Sequence, residues 1–178
     1  MGFSLLAPML LAASATPATL EDFEALLARS PSATVALETW CRARWDPRAT
    51  VRATNITASS DEPTARIRSA LDLPRGETLA YRRVNLSCAG RQMSLAYNWY
   101  VPARLTPEML RQLTETDTPF GRVAAPLGFK REPIAKPWSG PELCPAGTVL
   151  SNRALLRLPD GTPLALVVEC YTKAVLED

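Results

Sequence analysis

The sequence contains no histidine, and this absence excludes more chemistry than any other feature of its 178 residues. Without an imidazole, neither Ser-His-Asp nor Cys-His nucleophilic catalysis is available. The common zinc sites also need histidine, and the four cysteines contain no Cys-x-x-Cys pair that could replace it. We therefore expect no metal site, and any catalysis must use carboxylates, guanidinium groups, hydroxyls and backbone amides.

Glycine-rich phosphate loops are missing as well. The chain has only 8 glycines, which form neither a GxGxxG nor a GxxxxGK[ST] motif, so we expect no cofactor. The 20 basic residues face 18 acidic ones without any basic block, and this balance argues against a nucleic-acid partner. What is present, 47% hydrophobic and 21% charged residues, is typical of one globular domain with a real core.

The N-terminal segment resembles a secretory signal. The first twenty residues carry no charged side chain, and the small residues Ala13-Ser14-Ala15 suit a signal peptidase. We predict a signal over residues 1–15 and a single domain over 16–178. The segment is too short to span a bilayer and is interrupted by Pro8, so no stable membrane insertion is expected. The predicted location is periplasmic or secreted; in the alternative, cytoplasmic reading, the apolar segment docks on the core.

The four cysteines, Cys41, Cys88, Cys144 and Cys170, allow two interpretations. In an exported protein they form up to two disulfides, and their spacing does not select among three connectivities. In the other interpretation each is a small buried hydrophobic residue.

Hydrophobic periodicity and capping signals predict helices and strands in irregular alternation. The predicted helices lie at 20–29, 33–44, 61–71 and 105–113, with another short one opened by residues 116–121. The predicted strands include 49–56 and two hairpins, 78–88 with 91–101 and 149–158 with 163–175. This order indicates an α+β fold with a central antiparallel sheet of about six strands flanked by helices.

The first hairpin turns at Ala89-Gly90 and sorts its side chains into two classes. Pairing without irregularity predicts a core face of Val84, Leu86, Cys88, Met93, Leu95, Tyr97, Trp99 and Val101, interrupted by Ala80 and Arg82. The opposite face would hold Tyr81, Arg83, Asn85, Ser87, Ser94, Ala96, Asn98 and Tyr100. That second face is either a solvated sheet surface or the lining of a wet pocket.

Three patches of the sequence carry a family resemblance: YRRVNLSCAGRQMSLAYNWYVP at 81–102, TPFGR at 118–122 and DGTPLALVVECYT at 160–172. In order and spacing they resemble the chorismate lyase superfamily. Its members are chorismate pyruvate-lyases and the UTRA effector-binding domains of GntR-type bacterial regulators. The segments NWYVPARLTPEM and TDTPFG together also resemble an exported, uncharacterised bacterial subgroup of chorismate-lyase-like proteins.

The resemblance implies a set of site residues. Arg83 falls at the lyase's carboxylate-binding arginine, and Glu169 at its catalytic carboxylate. Phe120, followed by Gly121, falls where a backbone amide contacts the product carboxylate. The other residues expected to bind ligand lie on the polar hairpin face: Tyr81, Asn85, Asn98 and Tyr100.

Two departures from the family pattern change these expectations. Glu169 follows its strand proline by one residue more than the family glutamate does, so it needs a bulge or a shift, or its side chain points to the other face. Asn98 stands where the lyase has a second arginine. A wetter pocket with one cation fewer is expected to bind a dicarboxylate more weakly.

Two functions follow from the resemblance. One is a cofactor-free lyase that eliminates pyruvate from chorismate or a related enolpyruvyl carboxylate, giving 4-hydroxybenzoate, with Arg83 and Glu169 as its catalytic residues. The alternative is a non-enzymatic, UTRA-like binding domain for a small aromatic or sugar-like anion. In both, a monomer and a small-molecule partner are expected. Each site residue also has an alternative without a site role: a solvated Arg83, an edge-strand salt bridge from Glu169 to Arg82 or Lys173, and a structural turn at Phe120-Gly121. Separately, Trp138 is a candidate lid residue.

Overall fold

The computed structural model describes residues 18–56, 65–134 and 143–177. The predicted signal at 1–15, the first residues of the helix predicted at 61–71, and Trp138 lie outside the described residues.

Capping residues determine where the two longest helices begin. Helix α1 (Leu20–Arg29) follows a capping box between Thr19 and Asp22, and α2 (Ala33–Arg44) follows Ser32, whose side chain accepts the Val35 N–H. Both helices have the predicted bounds. The other helices are α3 (Ala65–Ala70), α4 (Pro107–Glu115) and α5 (Phe120–Val123), with 3-10 turns at Pro102–Arg104, Ala125–Leu127 and Lys173–Val175.

Six antiparallel strands form one sheet in the order β1-β2-β3-β6-β5-β4. They are β1 (Arg52–Asn55), β2 (Ala80–Cys88), β3 (Arg91–Tyr100), β4 (Lys130–Pro133), β5 (Leu150–Arg157) and β6 (Pro163–Tyr171). The predicted α+β class and both hairpins are confirmed. The prediction missed β4, because four residues with three adjacent charges show no apolar alternation.

The predicted division of the first hairpin into faces is wrong, because the hairpin contains a bulge. Cys88 pairs with Arg91 and Ser87 with Gln92, but Leu86 pairs with Ser94, so Met93 is the extra residue. A one-residue shift moves every later side chain of one strand to the other face. Beyond the bulge, Arg82 and not Arg83 therefore shares a face of the sheet with Asn98, which it pairs with directly.

Two layers cover the sheet. Helices α1, α2, α4 and α5 pack on what we call the front face, against residues such as Val84, Ala96, Leu156 and Val167. Helix α3 and connecting segments pack on the back face, where the apolar side chains are Leu95, Tyr97, Trp99, Leu155, Leu166, Val168 and Cys170. The sheet is thus buried on both sides, and only polar side chains with partners are expected inside it.

Two disulfides select one of the three possible connectivities. Cys41 on α2 is bonded to Cys88 on β2, and Cys144 is bonded to Cys170 on β6. The first bond ties a front-face helix to the sheet, and the second ties the segment before β5 to the back face.

Candidate functional site

A small cavity lies on the front face, between the sheet and the helices α2 and α5. We call it the inner cavity; its volume is about 30 Å³, room for a water molecule. Its walls are mostly apolar, with Val84, Leu156 and Val167 among them. The polar groups that line it are Ser32, Thr34, Asn98, Arg131 and Glu169.

Glu169 reaches the inner cavity because β6 is also irregular. Leu156 pairs with Ala165 and Arg157 with Pro163, so Leu164 is an extra residue between Pro163 and Glu169. Relative to the family pattern, Glu169 follows its strand proline by one extra residue and needs a bulge or a shift. The irregularity at Leu164 supplies it. Glu169 therefore points to the front face, as do Val167 and Tyr171.

A buried polar trio forms around the Glu169 carboxylate. Arg131 Nη2 lies 2.6 Å from Glu169 Oε2, and the Tyr171 hydroxyl donates to the same oxygen over 3.0 Å. Only 10% of the Arg131 side chain and 7% of the Glu169 side chain are exposed. Arg131 Nε is buried and has no hydrogen-bond partner in the described part of the chain. A charge pair this deeply buried is costly unless its geometry is good. Because perturbed, buried ionisable groups cluster at functional sites, this pair beside the inner cavity identifies the candidate site.

The ionisation of the trio follows from burial and from the ion pair. Burial raises the pKa of Tyr171 well above its ordinary value, and the Glu169 charge adds to this rise, so the phenol stays neutral. Burial is the largest influence on the pKa of Arg131 and lowers it, but the charge and hydrogen bond of Glu169, together with Tyr171, outweigh burial and raise the pKa. At neutral pH the trio therefore has a charged guanidinium and a neutral phenol that donates to the carboxylate.

Sequence reasoning missed Arg131 entirely. The alternative to a site role for Glu169, an edge-strand salt bridge to Arg82 or Lys173, is wrong, because β6 is central and the partner, Arg131, is on β4. Nothing in the sequence marks Arg131 within Lys-Arg-Glu-Pro, because its register opposite Leu156 comes from tertiary pairing.

A wider space of about 370 Å³, the outer cleft, adjoins the inner cavity between α2 and α5. Ser32, Thr34, Gly121 and Phe129 line both spaces. An ion-pair network lies along the outer cleft, where Glu38 pairs with Arg42 and Arg122. The first turn of the twelve-residue helix α2 thus lies between the two spaces, and a helix N-terminus favours negative charge.

Gly121 allows the close approach of α5 to α2. A Cβ added there would lie 2.7 Å from Thr34 Oγ1 and 3.2 Å from the Ser32 side chain. Real Cβ atoms essentially never come as close as 2.7 Å to another heavy atom, and 3.2 Å is a tight contact, so a larger residue at 121 would force Thr34 or the helix to shift. Gly121 therefore lets α5 lie close to the first turn of α2, where the outer cleft and the inner cavity share lining residues.

The expected ligand-binding residues do not all line one space. Asn98, Phe120, Gly121 and Glu169 line the inner cavity. Arg83, Tyr81 and Tyr100 line a different space, which we call the edge cleft, and Asn85 lies opposite Leu95 on the back side of the hairpin, where it lines neither space.

The prediction of a single pocket on a face shared by Arg83 and Asn98 is therefore wrong, because the bulge at Met93 places the two side chains on opposite faces. Arg83 points to the back side of the sheet, where its guanidinium lies 5.3 Å from the centre of the Tyr97 ring. Arg82 takes the front-face position opposite Asn98 and is 7% exposed.

Residues 18–56, 65–134 and 143–177 contain neither a cluster of metal ligands nor a membrane-spanning helix. No three His, Cys, Asp or Glu side chains come together there as a metal site would require. Within the same ranges no helix has the length and apolar character needed to cross a membrane.

Comparison with solved structures shows the fold. The chain superimposes on the effector domain of PhnF from Mycobacterium smegmatis with a TM-score of 0.56 and 12% identity, covering 80% of this chain and 88% of that domain. Against the longer PhnF chain the TM-score is 0.54, again with 12% identity, and the match covers 80% of this chain and 64% of that chain. These matches confirm the chorismate lyase-like α+β fold, the fold of UTRA effector domains.

Comparison by sequence shows the family. No family model matches the chain. The uncharacterized protein y4mC of Sinorhizobium fredii is 37% identical over 181 residues, a match that covers 90% of this chain and 76% of that protein. The chain therefore belongs to the same family as y4mC.

Proposed function

We propose that this chain is a small-molecule-binding domain, and that its ligand is a small aromatic or sugar-like anion held in the inner cavity and the outer cleft. One observation carries the proposal: the Arg131–Glu169 pair, buried beneath helices, lines a cavity whose other walls are mostly apolar. A few converging polar groups in an apolar pocket are typical of ligand sites. The likeness to an effector domain supports the same reading.

The chemistry of the walls suggests how a ligand lies. A hydroxyl of the ligand would donate to Glu169 and accept from the Asn98 amide at the sheet, while a ring packs on Val84 and Leu156. The anionic group would lie toward the first turn of α2, where the helix dipole is favourable. The inner cavity is smaller than such a ligand, so binding requires α2 and α5 to separate slightly where Gly121 meets Thr34.

Titration calorimetry with 4-hydroxybenzoate tests the proposal. We expect saturable binding that Glu169→Gln weakens at least tenfold, since a hydrogen bond to a charged group contributes about 1.5–3 kcal/mol. Asn98→Ala, which leaves the ion pair intact, should weaken binding about fivefold. Glu132→Gln is the matched control, because Glu132 is an exposed acid whose partner is Arg157. Equal affinities in all four proteins, or no binding of any aromatic acid or sugar acid, would contradict the proposal.

A second candidate function is the lyase reaction, and the position of Glu169 favours it. A buried carboxylate that lines the cavity and accepts from Tyr171 is placed as an acid/base group would be. Incubation with chorismate would then release pyruvate and 4-hydroxybenzoate in equal amounts, and Glu169→Gln would abolish both. Binding of 4-hydroxybenzoate without release of products would leave the binding function alone.

We also propose that the domain is exported. The two disulfides support this, because such bonds persist in oxidising compartments. N-terminal sequencing of the protein purified from its native host is expected to find a chain that begins at Thr16. A chain that retains residues 1–15, with free thiols, would count against export.

A further inference from the structure

The edge cleft lies where strand β1 stops. β1 ends at Asn55 opposite Val84, and the last backbone bond on that side joins the Ile56 N–H to the Arg83 carbonyl. The start of β2 therefore runs past the end of β1, and helix α4 lies beside it. The cleft has a volume of about 290 Å³ and is lined by Asn55, Ile56, Tyr81, Arg82, Arg83, Tyr100, Leu113 and Thr114.

Arg82 brings a buried charge to this cleft, and no described acidic side chain forms an ion pair with it. Its Nε donates to Asn55 Oδ1 over 2.7 Å and its Nη1 donates to the Thr118 carbonyl over 3.1 Å, and both acceptors are neutral. Its Nη2 is buried with no hydrogen-bond partner within the described ranges. Burial lowers the pKa of Arg82, as expected of a desolvated cation, and Tyr100 opposes this only in part. A buried charge without an opposite charge is costly.

Arg83 brings a second guanidinium to the same cleft from the other face of the sheet. It is half-buried, its guanidinium lies over the Tyr97 ring, and its Nε is buried without a hydrogen-bond partner in the described residues. Among the described residues that line the cleft, Arg82 and Arg83 are cationic and none is an aspartate or glutamate.

We infer that the edge cleft binds a small divalent oxyanion, such as inorganic phosphate or the phosphate group of a small ester. Two guanidinium groups from consecutive residues supply two positive charges, and the planar donor arrangement of arginine suits phosphate oxygens. The site is distinct from the inner cavity. Tyr100, which lines the cleft, packs its ring 5.4 Å from that of Phe120, which lines the cavity.

The test is titration calorimetry with sodium phosphate, compared with sodium chloride at the same ionic strength. We expect saturable phosphate binding that Arg83→Gln weakens at least tenfold. Arg82→Lys, which keeps the charge but loses the two donated hydrogen bonds, should also weaken it. Arg48→Gln is the control, since Arg48 is an exposed arginine outside the cleft. Circular dichroism identifies any variant that fails to fold. If Arg82→Lys does not fold, Arg83→Gln still tests the inference, because Arg83 is only half-buried.

Two results would overturn the inference: no phosphate effect beyond that of matched chloride, or unchanged phosphate affinity in Arg83→Gln. A parallel titration with methyl phosphate, which has no aromatic ring, separates the two sources, since tighter binding than inorganic phosphate points to an ester and equal binding to the free ion. Glu169→Gln should bind phosphate like the unmodified chain. The edge cleft and the aromatic-acid site therefore succeed or fail separately.

Discussion

Replacing Cys41 and Cys88 together by alanine is expected to lower the free energy of unfolding by about 4 kcal/mol. The two residues are 47 apart in the sequence, and a cross-link over such a loop restricts the unfolded chain by about that amount in the chain-entropy model. Both side chains are buried in the front-face core, so alanine leaves small gaps but no unpaired polar group. Since whole domains are stable by only about 5–15 kcal/mol, this loss is large.

Urea denaturation of the oxidised proteins measures this loss. The matched variant, with alanine at Cys144 and Cys170, removes a bond between residues only 26 apart in the sequence and is expected to lose about 3.5 kcal/mol in the same chain-entropy model. The unmodified chain, fully reduced, should lose more than either variant. A Cys41/Cys88 variant within about 1 kcal/mol of the oxidised parent would show that the bond contributes little.

Replacing Arg131 by methionine is expected to cost about 3–5 kcal/mol of stability, because it leaves the Glu169 carboxylate buried without its counter-charge. The Tyr171 hydroxyl remains as a donor to Glu169 but supplies no charge. The neighbouring strand β5 offers a matched control in Arg157→Met, which removes the partner of Glu132 on β4. That pair is 29% and 56% exposed, so its loss should cost about 0–1 kcal/mol.

A double-mutant cycle separates the ion pair from packing. Adding Glu169→Leu to Arg131→Met removes the unpaired charge, and the double variant should recover most of the lost stability. Chemical denaturation of the four proteins gives the coupling energy. If Arg131→Met costs no more than Arg157→Met, the buried ion pair does not have the role assigned to it.

Local signals were sufficient for much of the fold. The bounds of α1 and α2 follow from caps at Thr19 and Ser32 and from apolar spacing within each helix. Pro107 after Thr106 begins α4 where it was expected, although the helix runs on to Glu115. The hairpins follow from strand-like runs around short turns, one at Ala89-Gly90. Such signals act between neighbours in the chain, so a sequence displays them directly.

The site was predicted only in part, because it depends on register. Glu169 could be singled out, but the bulge at Leu164 that points it to the front face was only one of several possibilities. Met93 and Ser94 look like any other strand residues, yet the bulge at Met93 exchanged Arg82 and Arg83 between the two faces of the sheet. A bulge of one residue costs little locally, and packing on both faces decides whether it forms.

By itself, the sequence determined the class of the fold, the helices and hairpins, and, through its lack of histidine, the absence of imidazole chemistry. Only the tertiary structure decided which cysteines pair, that Arg131 on a short edge strand meets Glu169, and that Arg82 and Arg83 line a separate cleft. The physical reason is the range of the interactions. Caps and periodicity act within a few residues, whereas register, ion pairs and clefts depend on groups that the chain brings together from far apart.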